Sequence, residues 1–233
     1  MNIIITGASK GIGAEIAKIY GKQNHNLLLI SRNKQKLEVL KKELEEVGTS
    51  EISILPFDLL NLKNESDMFM SAVPFKHVDI LINNAGYLAN ELFVDSTDEE
   101  VERTFQVNFF APAQLIKSLI DRMGGDSSTH IVNVSSMGGF QGASKYPGLS
   151  YYSASKAAIA TLTECLATEF NDKNIAVNCL CLGAVQTEML SEAFPDYKAP
   201  VQAQEMADYI ADFALKGNKF YNGKILPVAL SNP

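Results

Sequence analysis

The chain has three cysteines and three histidines in 233 residues, no excess of positive charge, and no long unbroken apolar run. Each shortage closes a class of function. Cys165, Cys179 and Cys181 form an odd set with no metal-knuckle spacing, so they read as reduced core thiols, and neither a disulfide framework nor a metal site is expected. His25, His77 and His130 are scattered beside apolar runs, where surface or strand-entry places outweigh ligation. No run approaches the ~18 apolar residues that a membrane span needs. With 20 Lys and Arg against 27 Asp and Glu the net charge is −7, which offers no global field to nucleic acid or an anionic membrane. Met1 leads straight into Asn2-Ile3-Ile4-Ile5-Thr6 without a leader pattern, so a cytoplasmic location is expected.

What is present is ordinary in bulk and specific in order. A chain that is 46% apolar and 20% charged suits a soluble globular protein, and 233 residues suit one domain over 1–233. Short apolar runs at 3–6, 26–31, 51–56, 79–83, 129–135, 176–182 and 224–229 alternate with helical patterns. Most of these runs are apolar throughout, as strands buried on both faces must be. The expectation is a three-layer α/β fold: a doubly wound parallel sheet of about seven strands with helices on both faces. Cys179 and Cys181, two apart in such a run, should share a face of the sheet. Leu37, Leu40, Leu44 and Val47 recur at helical steps until Gly48. Thr97-Asp98-Glu99-Glu100 has the form of a capping box opening a long helix through Val101, Phe105, Asn108 and Leu115.

The first strand ends in Thr6 and runs into Gly7-Ala8-Ser9-Lys10-Gly11-Ile12-Gly13 and a helix, a Rossmann-type dinucleotide cradle with altered glycine spacing. Gly7 permits the sharp exit from the strand. Gly11 and Gly13 allow close backbone approach and tight packing, and the helix N-terminus beyond Ser9 and Ile12 offers free N–H groups to a pyrophosphate. Where a carboxylate would grip a ribose 2′-OH after the second strand, Ser31 and Arg32 stand instead. Arg32 and Lys10 would pair a 2′-phosphate, so NADP(H) is expected over NAD(H).

Tyr152 and Lys156 are four apart in an Ala-rich helical run, hence neighbours on one face. An ammonium near a phenol favours the phenolate and lowers a pKa that starts at about 10. Together with the glycine loop this pattern resembles the short-chain dehydrogenase/reductase family of classical type, nearly end to end, and specifically its NADP-preferring carbonyl reductases. Asp58-Leu59 resembles the pair bracketing the adenine. Asn83-Asn84-Ala85-Gly86 resembles the family's sheet-stabilising, cofactor-lining segment, and Asn133-Val134-Ser135-Ser136 with Gly139 resembles the strand that delivers a catalytic serine. The resemblance implies that Tyr152 protonates a carbonyl oxygen and Ser136 hydrogen-bonds it. Lys156 would tune the tyrosine and hold the nicotinamide ribose, and Asn108 would fix a water on the proton path. Ser136 is preferred to Ser135 because its Ser-x-x-Gly spacing fits and only one of two adjacent strand residues can face a cleft.

Two departures stand out. The family's Pro-Gly after the sixth strand is Leu182-Gly183 here, although Gly183, Val185 and Thr187 still match its nicotinamide-binding segment. The stretch between Ser136 and Tyr152 is a few residues longer than common, so 143–148 either forms a loop lining the cleft with Tyr146 and Leu149 or is a surface turn. A short lid over 188–200, carrying Met189, Leu190 and Phe194, suggests an apolar or aromatic carbonyl or alcohol substrate, or else residues that close the core. No cation is placed to clamp a charged substrate, with Lys145 and Lys198 left open. The leading expectation is an NADPH-dependent oxidoreductase reducing a ketone or aldehyde. The alternatives are a 3-oxoacyl-thioester reductase of fatty-acid synthesis and a non-catalytic NADP-sensing regulator. The resemblance also implies a homodimer or homotetramer, with Phe109, Phe110 and Leu115 serving either that interface or the core.

Overall fold

The computed structural model describes residues 1–48 and 51–230. Strands β1 (Asn2–Thr6), β2 (Asn26–Ser31), β3 (Ile52–Pro56), β4 (Ile80–Asn83), β5 (Thr129–Ser136), β6 (Ile175–Leu182) and β9 (Ile225–Val228) form one parallel sheet in the order β3-β2-β1-β4-β5-β6-β9. All seven strands expected from the apolar runs are present. The chain leaves β1 first toward β2 and later returns beside it as β4, and this reversal opens a crevice at the carboxyl ends of the strands. Everything chemical gathers there.

Burial on both faces explains the unbroken apolar strands. In β1, Ile3, Ile4 and Ile5 are all wholly buried. Ile3 and Ile5 meet Ile16 and Tyr20 of α1 (Gly11–Lys22), Leu37, Leu40 and Leu44 of α2 (Lys34–Val47), and Ile210 of α8 (Ala203–Lys216). Ile4 faces the other layer, with Phe69 of α3 (Ser66–Ala72) and Leu115 and Leu119 of α5 (Ala111–Leu119). Cys179 and Cys181 do share a face, packed with Met137 of the turn after β5 and with Ala160 of the longest helix, α6 (Ser150–Glu169). The sheet's two edges, β3 and β9, each carry a proline, Pro56 and Pro227.

The helix expected from Thr97 onward is in three pieces. Thr97 Oγ1 accepts the N–H of Glu100 at 3.3 Å and starts α4 (Asp98–Phe105). A wide π-type turn, Gln106–Phe110, then carries Asn108 before α5. Pro112 supplies the reason, since it has no N–H to return to the carbonyl of Asn108 four residues back. Leu115 is wholly buried, whereas Phe110 is about half exposed, at 52%. The expected helix start near Val201 is also displaced. Val201–Gln202 (β8) pairs with Val185–Gln186 (β7) as a small ribbon, and the Glu205 carboxylate accepts the Gln202 N–H at 2.8 Å where α8 begins. Between the ribbon strands lies α7 (Glu188–Ala193), the body of the expected lid.

One buried network pins α8 to the sheet. His130 Nδ1 lies 2.9 Å from the Ala214 carbonyl, which can only accept, so Nδ1 carries the proton. Nε2 then accepts from Asn178 Nδ2 at 2.9 Å, and Asn178 also donates to Tyr221 O and accepts from Lys224 N. Burial lowers the His130 pKa from 6.5 to about 4, because a second ring proton would meet the Asn178 amide donor and has no water. The unfolded chain takes up that proton from pH 6.5 downward while the native state refuses it. Stability is therefore intact above pH 6.5 and falls by about 3 kcal/mol by pH 4. Urea denaturation between pH 7.5 and 4.5 should show this loss, and His130→Gln, although less stable at pH 7.5, should show a flatter dependence.

Candidate active site

The crevice is a cleft of about 740 Å³. Its floor starts at the turn after β1, where Thr6 Oγ1 accepts the N–H groups of Asn84 and Ala85 at 3.1 and 3.0 Å. Asn84 Nδ2 returns a bond to Thr6 O at 3.0 Å, which ties the glycine loop to the end of β4. Gly7, Ser9, Lys10, Gly11 and Ile12 line the cleft; Gly13 does not. A Cβ on Gly13 would sit 2.5 Å from Gly7 O and 2.6 Å from Asn84 Nδ2, so this glycine serves packing, not approach to a ligand. No side chain caps the N-terminus of α1, which leaves its N–H groups pointing into the cleft. Ser31 is held by a 2.7 Å hydroxyl contact with Ser9, and Arg32 is exposed at the rim. Leu59 also lines the cleft, with Asp58, whose carboxylate accepts Leu60 N at 3.1 Å. These residues fit a phosphorylated dinucleotide: open backbone donors at one end, and hydroxyls and cations, with no acidic residue in the turn after β2 itself, at the other.

At the other end, α6 lies against β5. Ser135 Oγ donates to the Lys156 carbonyl at 2.7 Å, so it faces the helix and is buried. Ser136, the alternate residue, faces the cleft beside Tyr152 and accepts Gly138 N at 3.1 Å. The Ser-x-x-Gly spacing has a packing cause: a Cβ on Gly139 would meet the Lys156 carbonyl carbon at 2.5 Å. Lys156 Nζ donates to Val134 O at 2.9 Å and lies 5.9 Å from the centre of the Tyr152 ring. Tyr151 points away and stacks on Phe93 at 5.2 Å. Asn108 is wholly engaged, accepting Tyr87 N and donating to Tyr87 O, both at 2.8 Å, and donating to Ser155 Oγ at 3.0 Å.

Electrostatics differ from the expectation at one point. Burial raises the Tyr152 pKa, with only the Ser136 hydroxyl pulling it down; the ammonium does not set its direction. Burial likewise lowers Lys156 to about 8, the charges of Cys179 and Cys181 opposing. Desolvating the two neighbours together drives their titrations apart, because burial favours the neutral form of each: the phenol keeps its proton and the amine gives its own up more readily.

One wall of the cleft comes from α7 and the residue that follows it. Met189, Leu190 and Phe194 line the cleft, as do Tyr146 and Leu149 of the 143–149 loop, so of the two readings of that loop the structure has the cleft-lining one. Lys145 is turned back to the Phe140 carbonyl at 2.8 Å and clamps nothing in the cleft. Strand β6 stays in register with β9 through Leu182, and Gly183 N donates to Val228 O at 2.9 Å; Gly183, Val185 and Thr187 line the cleft. Sequence reasoning missed Lys36, Tyr87, Arg103 and Tyr197, which also line it. Arg103 and Val107, four residues apart along the stretch that leads into Asn108, were the available signal. The Lys36–Glu188 pair, 152 positions apart, had none. Among the described residues there is no metal-binding cluster and no helix long and apolar enough to cross a membrane.

Comparison with known proteins agrees with this geometry. The family described as short chain dehydrogenase matches residues 1–198. A fatty acyl-CoA reductase of Acinetobacter baylyi is 33% identical over 222 residues, covering 93% of this chain and 73% of that protein. A 3-oxoacyl-[acyl-carrier-protein] reductase of Chlamydia trachomatis is 28% identical over 97% of this chain and 94% of its own. The crystal structure of L-sorbose reductase from Gluconobacter frateurii, complexed with NADPH and L-sorbose, superposes with a TM-score of 0.87 at 24% identity, over 99% of this chain and 95% of that one.

The two serines separate by experiment. Ser135→Ala should lower stability by about 1 kcal/mol through the lost bond to the Lys156 carbonyl. Ser136→Ala should leave the thermal midpoint within about a degree, since its bond is a local turn bond. Thermal denaturation of both variants checks the pair.

Proposed function

The chain belongs to the short-chain dehydrogenase family, oxidoreductases acting on CH–OH and C=O groups, and on that premise we propose an NADPH-dependent reductase of a neutral, apolar or aromatic ketone or aldehyde. The observation that carries this reading is the convergence of Tyr152, Ser136 and Lys156 on the same cleft as the glycine loop. A reduced nicotinamide bound there supplies the hydride. Tyr152 gives its proton to the carbonyl oxygen, and Ser136 donates a hydrogen bond to that oxygen. Lys156, buried and turned toward Val134 O, holds a positive charge beside the phenol at neutral pH and steadies the ribose. Asn108 fixes the Tyr87 backbone and sits on the proton path beyond Lys156, whose ammonium lies on the same side of Gly86.

Substrate class follows from the lining. Met137, Tyr146, Leu149, Met189, Leu190 and Phe194 carry no charge, while the cations and the two acids of the cleft belong to the glycine loop, the turns after β2 and β3, α2, α4, α6 and the lid's first residue. A 3-oxoacyl thioester is the second reading, favoured by the nearly full-length likeness to the Chlamydia reductase. Retention of Asn108, Ser136, Tyr152 and Lys156 speaks for chemistry over cofactor sensing alone. The half-exposed Phe110, between α4 and α5, supports a homodimer or homotetramer.

NADPH oxidation followed at 340 nm against a carbonyl panel that includes acetoacetyl thioesters tests the reading. Tyr152→Phe should lose at least 10²-fold in kcat while still binding NADPH; equal turnover sinks the role of Tyr152. Arg32→Asp should lower the NADPH-to-NADH ratio of kcat/KM by about tenfold or more, as losing one charge-assisted contact predicts.

A further inference from the structure

The cations at the β2 end of the cleft are not equivalent. Lys10 Nζ lies 3.0 Å from Glu188 and 3.6 Å from Glu192, and Lys36 Nζ lies 3.4 Å from Glu188. Both lysines therefore hold the first turns of the lid, and an incoming anion must compete with carboxylates for Lys10. Among the described residues Arg32 and Arg103 have no ion pair. Arg103 projects from α4 into the cleft, one turn before Val107, which also lines it.

Its guanidinium lies 4.4 Å over the centre of the Tyr87 ring. That ring is fixed at three points: Asn108 holds the Tyr87 N–H and carbonyl at 2.8 Å each, and the phenol donates to Glu100 at 2.5 Å. A guanidinium stacked on a held ring has its flat face covered and its N–H edge in a fixed direction. Arg103 Nε is buried with no hydrogen-bond partner among the described residues, so the edge left for a ligand in the cleft is that of the two terminal nitrogens. Both guanidiniums also act on the same phenol. The Tyr87 pKa is raised, by burial first and then by Glu100, while Arg103 and Arg32 each pull it down. Two positive charges thus stand near one wall of the cleft, the one with a planar fork held in place.

We propose that Arg103 binds a phosphate group of the dinucleotide, on the side of the cleft where Arg32 also stands, while Lys10 and Lys36 hold the lid. This rests on the reductase reading above. The two terminal nitrogens present parallel N–H groups that match two phosphate oxygens. Asn108, by gripping the Tyr87 backbone, positions this contact as well as the catalytic end.

The test is a binding titration, read from the change in NADPH fluorescence on binding and, for NADH and 2′-AMP, by calorimetry. Arg103→Gln should raise the Kd for NADPH about tenfold, the size expected from one charge-assisted contact. If NADPH and 2′-AMP weaken but NADH does not, the contact is to the 2′-phosphate. If NADPH and NADH weaken alike and 2′-AMP does not, it is to the pyrophosphate; either result supports the proposal. Arg103→Lys, which keeps the charge and loses the stacked fork, serves if the Gln variant melts early, with a loss of about three- to fivefold expected. NADPH affinity within twofold of wild type in a folded variant overturns the role of Arg103. Wild-type protein that binds neither coenzyme would overturn the reductase reading itself, so the two failures are distinguishable.

Discussion

The site depends on how closely α6 is laid against β5. Three contacts define the distance: the Ser135 hydroxyl to the Lys156 carbonyl at 2.7 Å, the Lys156 ammonium to the Val134 carbonyl at 2.9 Å, and the absence of a Cβ at Gly139. The first fixes the helix backbone, the second aims the lysine, and the third lets the turn after β5 lie against the helix. Once these are set, Ser136 and Tyr152 have no choice of face, because strand alternation and the four-residue helical step place them. A catalytic end built from two rigid elements needs little help from its loops.

Burial is the second determinant, and it acts against stability. Lys156 is 4% exposed and keeps its charge at neutral pH at the expense of desolvation, which is why its pKa falls to about 8. The single carbonyl bond from Val134 offsets only part of that cost. The same apolar surroundings raise the neighbouring phenol. His130 shows the opposite solution to an equally buried titratable group: it stays neutral and every ring nitrogen is matched. One buried group serves the fold and the other serves the cleft, and their hydrogen bonding tells them apart.

Much of this was legible in the sequence because it is local or periodic. The seven strands announced themselves as unbroken apolar runs, and Tyr152 with Lys156 as a helical pair. Ser136 could be chosen over Ser135 because its Ser-x-x-Gly spacing resembles the family's and alternation lets only one of the two face the cleft. What the sequence did not disclose depends on contacts between distant segments. Lys10 reads as a free loop cation until Glu188 and Glu192 are seen to reach it from the lid. Gly13 reads as serving approach and packing alike until Gly7 and Asn84 are found against it. The phenol's pKa direction depends on burial, which no spacing encodes. The turn at Asn108 was within reach, since Pro112 four residues on forbids a regular helix there.

Both margins of the sheet end in a proline whose nitrogen points outward. Lys224 O and Val228 O bond toward β6, so Pro227, of the opposite parity in β9, turns its nitrogen to the outside. On β3, Glu51 O and Phe57 N serve β2, and Pro56 likewise faces away. A stray strand docking along either flank would find a missing donor where its ladder needs one. An all-parallel core of hydrophobic strands is thereby kept from growing sideways into a fibre, and that safeguard costs the interior nothing.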